Sequence, residues 1–197
     1  SNAGAYTTSG NMIFPLSSKA YLRLNGSATN AGNYETGSGI KPLTEYSTTD
    51  YTAILGTLLS DGSKLEFNYT NNRQDKVGYP GLNMDIVYSY TDMYTLKYHR
   101  VTPFGIFSTM NVELFNTDID HLMDNVVLRG NSGNGVMANP TASDTYGGRM
   151  IGTIGSDIRA GIDYEHNTKD AEQNMVMSGM NVFMTYLWPG VETEKLG

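Results

Sequence analysis

The sequence predicts an all-β fold, an antiparallel up-and-down meander of about seven or eight strands. Three stretches of the 197-residue chain, at residues 64–70, 93–100 and 158–165, alternate strictly between apolar and polar residues. This two-residue period is typical of a strand with one buried and one solvated face. Short turns and long polar connections also alternate along the chain. No stretch has the period of an amphipathic helix, so we expect strands and no helix.

Each predicted strand has apolar residues at alternate positions, which are expected to share one face. In the three strict stretches, the residues expected on one face are Leu65, Phe67 and Tyr69, then Tyr94, Leu96 and Tyr98, then Ile158, Ala160, Ile162 and Tyr164. Weaker alternation of the same kind predicts further strands at residues 19–28, 51–60, 106–118 and 145–154. These segments together account for the predicted meander.

The connections predict how the strands are joined. Tight hairpin turns are expected at residues 61–62, 102–105 and 155–157. Long polar or Gly-rich connections are expected at residues 30–47, 74–90 and 120–143 and from residue 167 onward. A compact soluble domain rarely has several structureless connections longer than about 12 to 15 residues, whereas outer-membrane barrels have short turns at one rim and long loops at the other. The alternation therefore favours a segment of a transmembrane β-barrel.

Tyrosines support the barrel hypothesis. Tyr69, Tyr98 and Tyr164 are expected where a strand enters a long connection, and Tyr51, Tyr94 and Tyr146 where a strand leaves one. All of them would then lie at one rim, as half of the aromatic girdle at a membrane interface. Alternatively, tyrosine is simply enriched on any half-buried sheet.

The polar side of the strands would face the lumen of such a barrel, and the apolar side would face lipid. The charged residues expected on the lumen side are Lys64, Glu66, Lys97, Arg149, Arg159, Asp163 and Glu165. A soluble β-sandwich with a solvated outer face predicts the same alternation. The two hypotheses differ in what surrounds the apolar face, which is lipid in the barrel and a packed core in the sandwich.

Composition excludes several classes of function. Only 17% of the residues are charged, and the chain has 22 Gly and 14 Tyr, whereas about a quarter of a soluble domain is usually charged. The balance of 13 Lys and Arg against 20 Asp and Glu leaves no basic surface for nucleic acid. Because there is no Cys, disulfides, thiol nucleophiles and cysteine zinc sites are excluded. No run approaches the roughly 18 apolar residues of a transmembrane helix.

Several motifs resemble the barrel of a TonB-dependent outer-membrane receptor. They are Gly78-Tyr79-Pro80-Gly81-Leu82-Asn83-Met84-Asp85, Asp92-Met93-Tyr94, Asp118-Ile119-Asp120-His121-Leu122-Met123-Asp124-Asn125 and Thr145-Tyr146-Gly147-Gly148-Arg149. The resemblance reaches back to residues 33–35 and forward to the Met-rich stretch before Trp188, so it covers most of the chain. The order and spacing of the motifs are most like the copper-receptor branch of this family.

The resemblance implies a barrel of about 22 strands with an N-terminal plug domain, which takes up its substrate when TonB pulls on the plug. Residues 4–197 would be a fragment of that barrel without a plug domain, following an expression-tag remnant at Ser1-Asn2-Ala3. The fragment would lie in the outer membrane of a Gram-negative bacterium, in contact with lipid, and would reach the TonB system through the missing plug. Because its edge strands would be open, we also expect it to self-associate.

His121 and Met123 are the strongest candidate ligands. Positions two apart on a strand point to the same side, and imidazole with a thioether suits Cu(I) rather than Mg²⁺ or Ca²⁺. In receptors that resemble this chain and import copper, a His-x-Met pair joins sulfur ligands from the plug, and His121 and Met123 match that pair. Copper(I) is then expected as the transported ligand, with no resident cofactor required. Alternatively, Met123 packs under a loop and His121 is an ordinary polar residue.

Met175, Met177 and Met180 are weaker candidates. Several thioethers on an outer loop, with Met184 nearby, would capture Cu(I) and pass it inward. The alternative, which the sequence slightly favours, is an apolar loop over the mouth of the barrel in which Met fills irregular gaps.

These patterns and the resemblance together predict part of an outer-membrane receptor that takes up a metal, with copper favoured, and no enzyme. Carboxylate pairs such as Asp118 and Asp120, or Asp163 and Glu165, have strand spacing, but no nucleophile or phosphate-binding motif accompanies them. Two alternatives stay open. One is a siderophore or other metal-chelate receptor of the same family, and the other is a soluble β-sandwich or small barrel that binds carbohydrate or protein at its long loops.

Overall fold

A single antiparallel sheet makes up the fold. The computed structural model describes residues 3–130, 135–156, 158–176 and 183–196, and within them nine strands follow one another in sequence order. The strands are β1 (Tyr6–Pro15), β2 (Ala20–Ala31), β3 (Tyr46–Leu58), β4 (Lys64–Val77), β5 (Asp85–Arg100), β6 (Phe107–Asp124), β7 (Val136–Ile154), β8 (Ile158–Val176) and β9 (Phe183–Leu196). The predicted all-β meander is confirmed. The described residues form no helix, and so none long and apolar enough to cross a membrane.

The sheet has nine strands rather than the predicted seven or eight. The additional strands are β1 and β9, whose sequences do not alternate cleanly between apolar and polar residues. β4 and β5 also extend beyond their alternating stretches, to Val77 and from Asp85, into segments with the composition of a connection. Ladder hydrogen bonds are made by the backbone. Pairing therefore continues where both faces are polar and the side-chain period is lost.

Short and long connections alternate, and each kind lies at its own end of the sheet. The turn after β3 contains Gly62 and the turn after β5 contains Gly105, with φ of 82° and 59°, respectively. These left-handed values favour glycine, which has no Cβ to clash. Another short turn, at residues 16–19, joins β1 to β2. Because neighbouring strands are antiparallel, the short turns lie together at what we call the turn end, and the connections after β2, β4 and β6 lie at the loop end.

One face of the sheet is apolar and uncovered. Leu55, Phe67, Leu96 and Leu114 lie side by side across β3 to β6, and each is between 39% and 51% exposed. Among the described residues, Ile86 is the one buried apolar side chain. A soluble sandwich would pack a second layer on this apolar face, and the described part of the chain provides no second layer.

The opposite face is polar. Glu66, Lys97, Glu113, Arg149 and Asp163 form a row across β4 to β8. Lys97 Nζ lies 3.4 Å from the Glu113 carboxylate, and Arg149 forms an ion pair with Asp163. The other charged residues predicted on this side, Lys64, Arg159 and Glu165, share the polar face by the same alternation. Opposite charges thus neighbour one another across the strands, which is favourable for sheet pairing.

A tyrosine band crosses the apolar face. The rings of Tyr69 and Tyr94 stack with their centroids 5.0 Å apart, and Tyr51 meets Tyr69 edge-on at 5.8 Å. Tyr146 and Tyr164 continue the band on β7 and β8, with their centroids 6.5 Å apart. The band lies near the middle of the strands rather than at their ends, because the strands continue toward the loop end as a polar ladder.

Tyr98 does not belong to the tyrosine band, so its predicted position was wrong. β5 runs from the loop end to Arg100, which places Tyr98 at the turn end. There its hydroxyl donates a hydrogen bond to Ser63 Oγ at 3.1 Å, in the turn before β4. The error has a physical origin: every hairpin reverses the chain, so the two rims are distinguished only when each strand's direction is known.

Candidate metal site at the loop end

His121 and Met123 lie near the loop end of β6, on the polar face. β6 alternates regularly over this stretch, so the two side chains point to the same side of the sheet. His121 is directly opposite Ser89 on β5 and Thr141 on β7, and Met123 is directly opposite Asn139 on β7. The imidazole and the thioether therefore share one face of β6, on the loop-end side of the tyrosine band.

The imidazole of His121 is suited to bind a metal in its neutral form. Burial lowers the pKa of His121 below its usual range because the charged form loses solvation, and the Asp120 carboxylate offsets part of this effect. The residue lies between the tyrosine band and the loop connections, outside the part of β6 that would cross a membrane. A lowered pKa leaves the ring neutral at pH 7, with a nitrogen lone pair available to a metal.

Asn139 is a neighbour that the sequence did not single out. Its side-chain oxygen is buried and, within the described ranges, has no hydrogen-bond partner. The residue lies opposite Met123 and one diagonal step from His121. A histidine that binds a metal usually donates its other N–H to a hydrogen-bond acceptor, and the Asn139 oxygen is an acceptor without a described partner. Only the strand register reveals this neighbour.

Hydrogen bonds fix the strand ends around the pair. Asp124 Oδ1 accepts from the backbone N–H groups of Val126 and Val127 at 3.0 and 2.9 Å, which turns the chain out of β6. Asn125 accepts from the N–H of Met137 and donates to the carbonyl of Gly135, both at 2.9 Å. Because Asn125 is only 6% exposed, these bonds are shielded from water and hold the start of β7 against the end of β6.

Arg129 joins two of the loop-end connections. Its guanidinium forms a bidentate ion pair with Asp85, which is fully buried, and also donates to the carbonyls of Tyr79 and Leu82. The N–H of Tyr79 donates to the same carboxylate at 2.7 Å. Bidentate arginine–carboxylate pairs are among the stronger polar interactions in proteins. Arg129 thus holds the described start of the connection after β6 against the connection after β4.

Replacing Arg129 by methionine is expected to loosen this part of the loop end. The Asp85 carboxylate would stay buried with the Tyr79 N–H as its described partner, and a buried group that loses its partner costs about 1–3 kcal/mol. Hydrogen exchange should therefore become faster at the amides of residues 78–85 and 124–130. Lys41→Met is the control, because Lys41 and Glu35 form an ion pair whose side chains are 67% and 49% exposed and such pairs contribute little. Equal exchange rates in the two variants would contradict this account of Arg129.

Met175 lies on β8 near its loop end rather than on a loop. It is directly opposite Met137 on β7 and Met184 on β9. Met177 and Met180, the other weak candidates, lie outside the described residues. Over its described part, the predicted Met-rich loop is therefore a row of methionines on neighbouring strands. Met137 joins this row from a stretch of sequence that shows no enrichment in Met.

The donors available at the loop end favour a soft cation. In the part of the chain that the structure describes, no group of three or more His, Asp or Glu side chains is placed to hold a metal ion, and the sequence contains no Cys. The donors predicted here are the imidazole of His121 and the thioether of Met123. Thioether and imidazole donors suit Cu(I) and suit hard cations such as Mg²⁺ poorly.

Comparisons with known proteins bear on the fold. No protein-family model matches the chain, and no curated protein matches it. Among solved structures, the chain is similar to the copper transporter OprC, with a TM-score of 0.79 and 18% sequence identity. The match covers 92% of this chain and 29% of that transporter. At this level of identity the likeness shows a shared fold, and the chain spans less than a third of the length of its structural neighbour.

Proposed function

We propose that this chain is part of an outer-membrane transporter that takes up a metal, with copper favoured, using energy delivered through TonB. The observation that carries the proposal is the uncovered apolar face, crossed by the tyrosine band and backed by a charged polar face. A single-layer sheet of this kind is stable in water only if something covers its apolar side. Lipid covers that side in an outer-membrane barrel. The fold of a copper transporter is the same over most of this chain.

The strands have the length that such a transporter requires. A membrane-crossing strand needs about 9–11 residues, and β5 to β8 contain 16 to 19 residues each. The excess lies toward the loop end, where both faces of the sheet carry polar side chains. In this proposal the turn end lies toward the periplasm and the loop end lies outside the cell, in a Gram-negative bacterium.

Copper is favoured over other metals by the chemistry of the loop end. His121 and Met123 offer one imidazole and one thioether on the face that would line the lumen, and this pair suits Cu(I). The family resemblance implies that a plug domain would supply further sulfur ligands to the same ion. The copper ion is the cargo of this transporter and not a resident cofactor.

Uptake by the complete receptor tests the proposal. Gram-negative cells that lack their own copper receptor would express it, and accumulated copper would be measured by mass spectrometry with and without TonB. We expect copper accumulation that depends on TonB. Accumulation of iron from a ferric siderophore, with none of copper, would instead identify a siderophore receptor of the same family. Recovery of the protein from the soluble fraction as a folded monomer would favour a carbohydrate- or protein-binding sandwich and overturn the transporter proposal.

The isolated chain is expected to self-associate. Within the described residues, β1 pairs with β2 alone and β9 pairs with β8 alone, so each has one edge of unpaired backbone groups. Open edges and an uncovered apolar face both favour pairing with another copy. Light scattering of residues 4–197 in detergent, corrected for bound detergent, should give a mass of at least two chains. A dispersed monomer would contradict this prediction.

A further inference from the structure

The tyrosine band lies close to the turn end of the sheet. A band tyrosine is 7 residues from the turn end of its strand in β3, 5 in β4, 6 in β5, 8 in β7 and 6 in β8, whereas a membrane-crossing strand needs about 9–11 residues. At about 3.4 Å per residue and a tilt of about 40°, these segments rise about 13–21 Å, less than the apolar band of about 25 Å in outer-membrane barrels. In four of these five strands the longer part lies on the loop-end side of the band.

Carboxylates prevent the hydrocarbon from extending past the band toward the loop end. Asp92 and Asp144 lie on the face of the band, two residues beyond its tyrosines on β5 and β7. Asp118 lies between them on β6, directly opposite both. A charged side chain within hydrocarbon is costly, so this row marks one edge of the lipid-covered face. The missing height must therefore lie at the turn end.

The turns place exposed apolar side chains where that height is missing. They are Leu16 after β1, Leu59 after β3 and Val101, Phe104 and Ile106 after β5, and they are between 39% and 68% exposed. Phe104 lies on the side of the apolar face: its ring is 5.0 Å from the Arg100 guanidinium, and Arg100 shares a face with Leu96 by alternation along β5. Hairpin turns are mostly built from Gly, Pro, Asn, Asp and Ser, and groups of exposed apolar side chains mark surfaces that contact protein or membrane.

The polar groups at the turn end are compatible with a membrane interface. Arg100 Nη1 lies 2.8 Å from Asp61 Oδ2, so the two charges offset each other. The Tyr98 hydroxyl donates to Ser63, which is fully buried. Paired groups of this kind leave water at a lower cost than unpaired ones. The exposed Lys19 has a long side chain, whose ammonium group can reach the lipid headgroups.

We propose that the turn end is embedded in the membrane, with the apolar side chains of its turns in contact with the acyl chains of the periplasmic leaflet. The inference rests on the proposed function and deepens it, because it names lipid as the partner of the turns. The turns then add the height that the strands alone do not supply. Lipid is favoured over protein as the occupant because these side chains continue the apolar face, which lipid covers in the proposed barrel.

A fluorescent probe in the turn after β5 tests the inference. An environment-sensitive fluorophore would be attached to the Phe104→Cys variant of the complete receptor, without other cysteines, in phosphatidylcholine vesicles. The quencher is phosphatidylcholine brominated in the upper half of its acyl chains. Ile106→Cys is a second reporter in the same turn, and circular dichroism would verify that each variant is folded.

Two further positions calibrate the probe. Leu96→Cys, on the apolar face, is the reference within lipid. Leu82→Cys is the matched control, because Leu82 is 54% exposed in a loop-end connection and Phe104 is 58% exposed. We expect brominated lipid to quench the probe at Phe104 several-fold more than the probe at Leu82, and the probe at Leu96 at least as strongly.

The outcomes separate the embedded turn end from the proposed function. Strong quenching at Leu96, with none at either Phe104 or Ile106, would overturn the embedded turn end and leave the transporter proposal standing. Emission from Phe104 that is shifted to the blue but not quenched would mean that protein, such as a second copy, covers the turn, which also overturns the inference. If the folded Leu96 variant is not quenched either, the apolar face is not in lipid, and both the inference and the proposed function are wrong.

Discussion

Replacing His121 and Met123 together by alanine is expected to lower copper uptake by the complete receptor by about tenfold or more. Changes to groups that merely support a metal ligand cost about 10–100-fold in affinity, so loss of two ligands should cost at least as much. The two side chains share one face near the loop end of β6. Among the described residues, no cluster of three or more His, Asp or Glu side chains forms another candidate metal site. The initial rate of copper accumulation at a limiting copper concentration is the measurement.

A matched pair of residues on β5 controls for nonspecific damage. His99 and Met93 also lie on the polar face, at positions 22 and 30 residues before His121 and Met123 in the sequence. His99 hydrogen-bonds with Asn111 near the turn end, and Met93 is opposite Thr70. Replacing both by alanine should leave copper uptake unchanged. If uptake is the same in the two double variants, His121 and Met123 are not ligands of the transported ion.

Replacing Leu96 by arginine should destabilise the assembled barrel by about 2–4 kcal/mol, which is the cost of arginine on the lipid face of a membrane barrel near its midplane. Leu96 lies on the apolar face between Phe67 and Leu114, beside the tyrosine band. In lipid, an arginine at this position would place a positive charge with neither water nor a carboxylate nearby. The free energy of unfolding from lipid vesicles, obtained by denaturant titration, is the measurement.

Met93→Arg is the control for Leu96→Arg. The two residues lie three positions apart on β5, and they are 40% and 39% exposed. They differ in face, because Met93 lies on the polar side between Thr70 and Thr117. A charge facing a watery lumen should be tolerated, so this variant should unfold within about 1 kcal/mol of wild type. Similar losses in both variants would mean that the two faces have similar surroundings, which is incompatible with a lipid-exposed barrel wall.

The strands with strict alternation were predictable because their signal is local. Leu65, Phe67 and Tyr69 share a face in β4 just as their two-residue spacing predicts. The same spacing predicted that His121 and Met123 would lie on one side of β6. By contrast, β1 and β9 pair through their backbones with little side-chain period. Composition alone therefore assigned β9 to a connection, gave no prediction for β1, and underestimated how far β4 and β5 extend.

The neighbours of the candidate site were not predictable in this way. Asn139 lies opposite Met123, and Met137 opposite Met175, only because of how far each hairpin shifts one strand along the next. That register includes irregularities between Ile86 and Tyr88 and between Phe107 and Thr109. Tyr98 illustrates the same limit, since its rim depends on the direction of β5 rather than on its own surroundings in the sequence.

The sequence by itself determined the all-β class, the alternation of short and long connections and, within the strictly alternating stretches, which side chains share a face of their strand. These features follow from the two-residue period of an extended chain and from turn residues, which act over a few neighbouring positions. The tertiary structure decided the number of strands, the place of the tyrosine band and the row of Met137, Met175 and Met184. The physical reason is that the register of each strand pair depends on the length of the turn that joins the strands and on any bulge in them. Which residues from distant parts of the sequence become neighbours is therefore fixed only when every turn and bulge of the sheet is known.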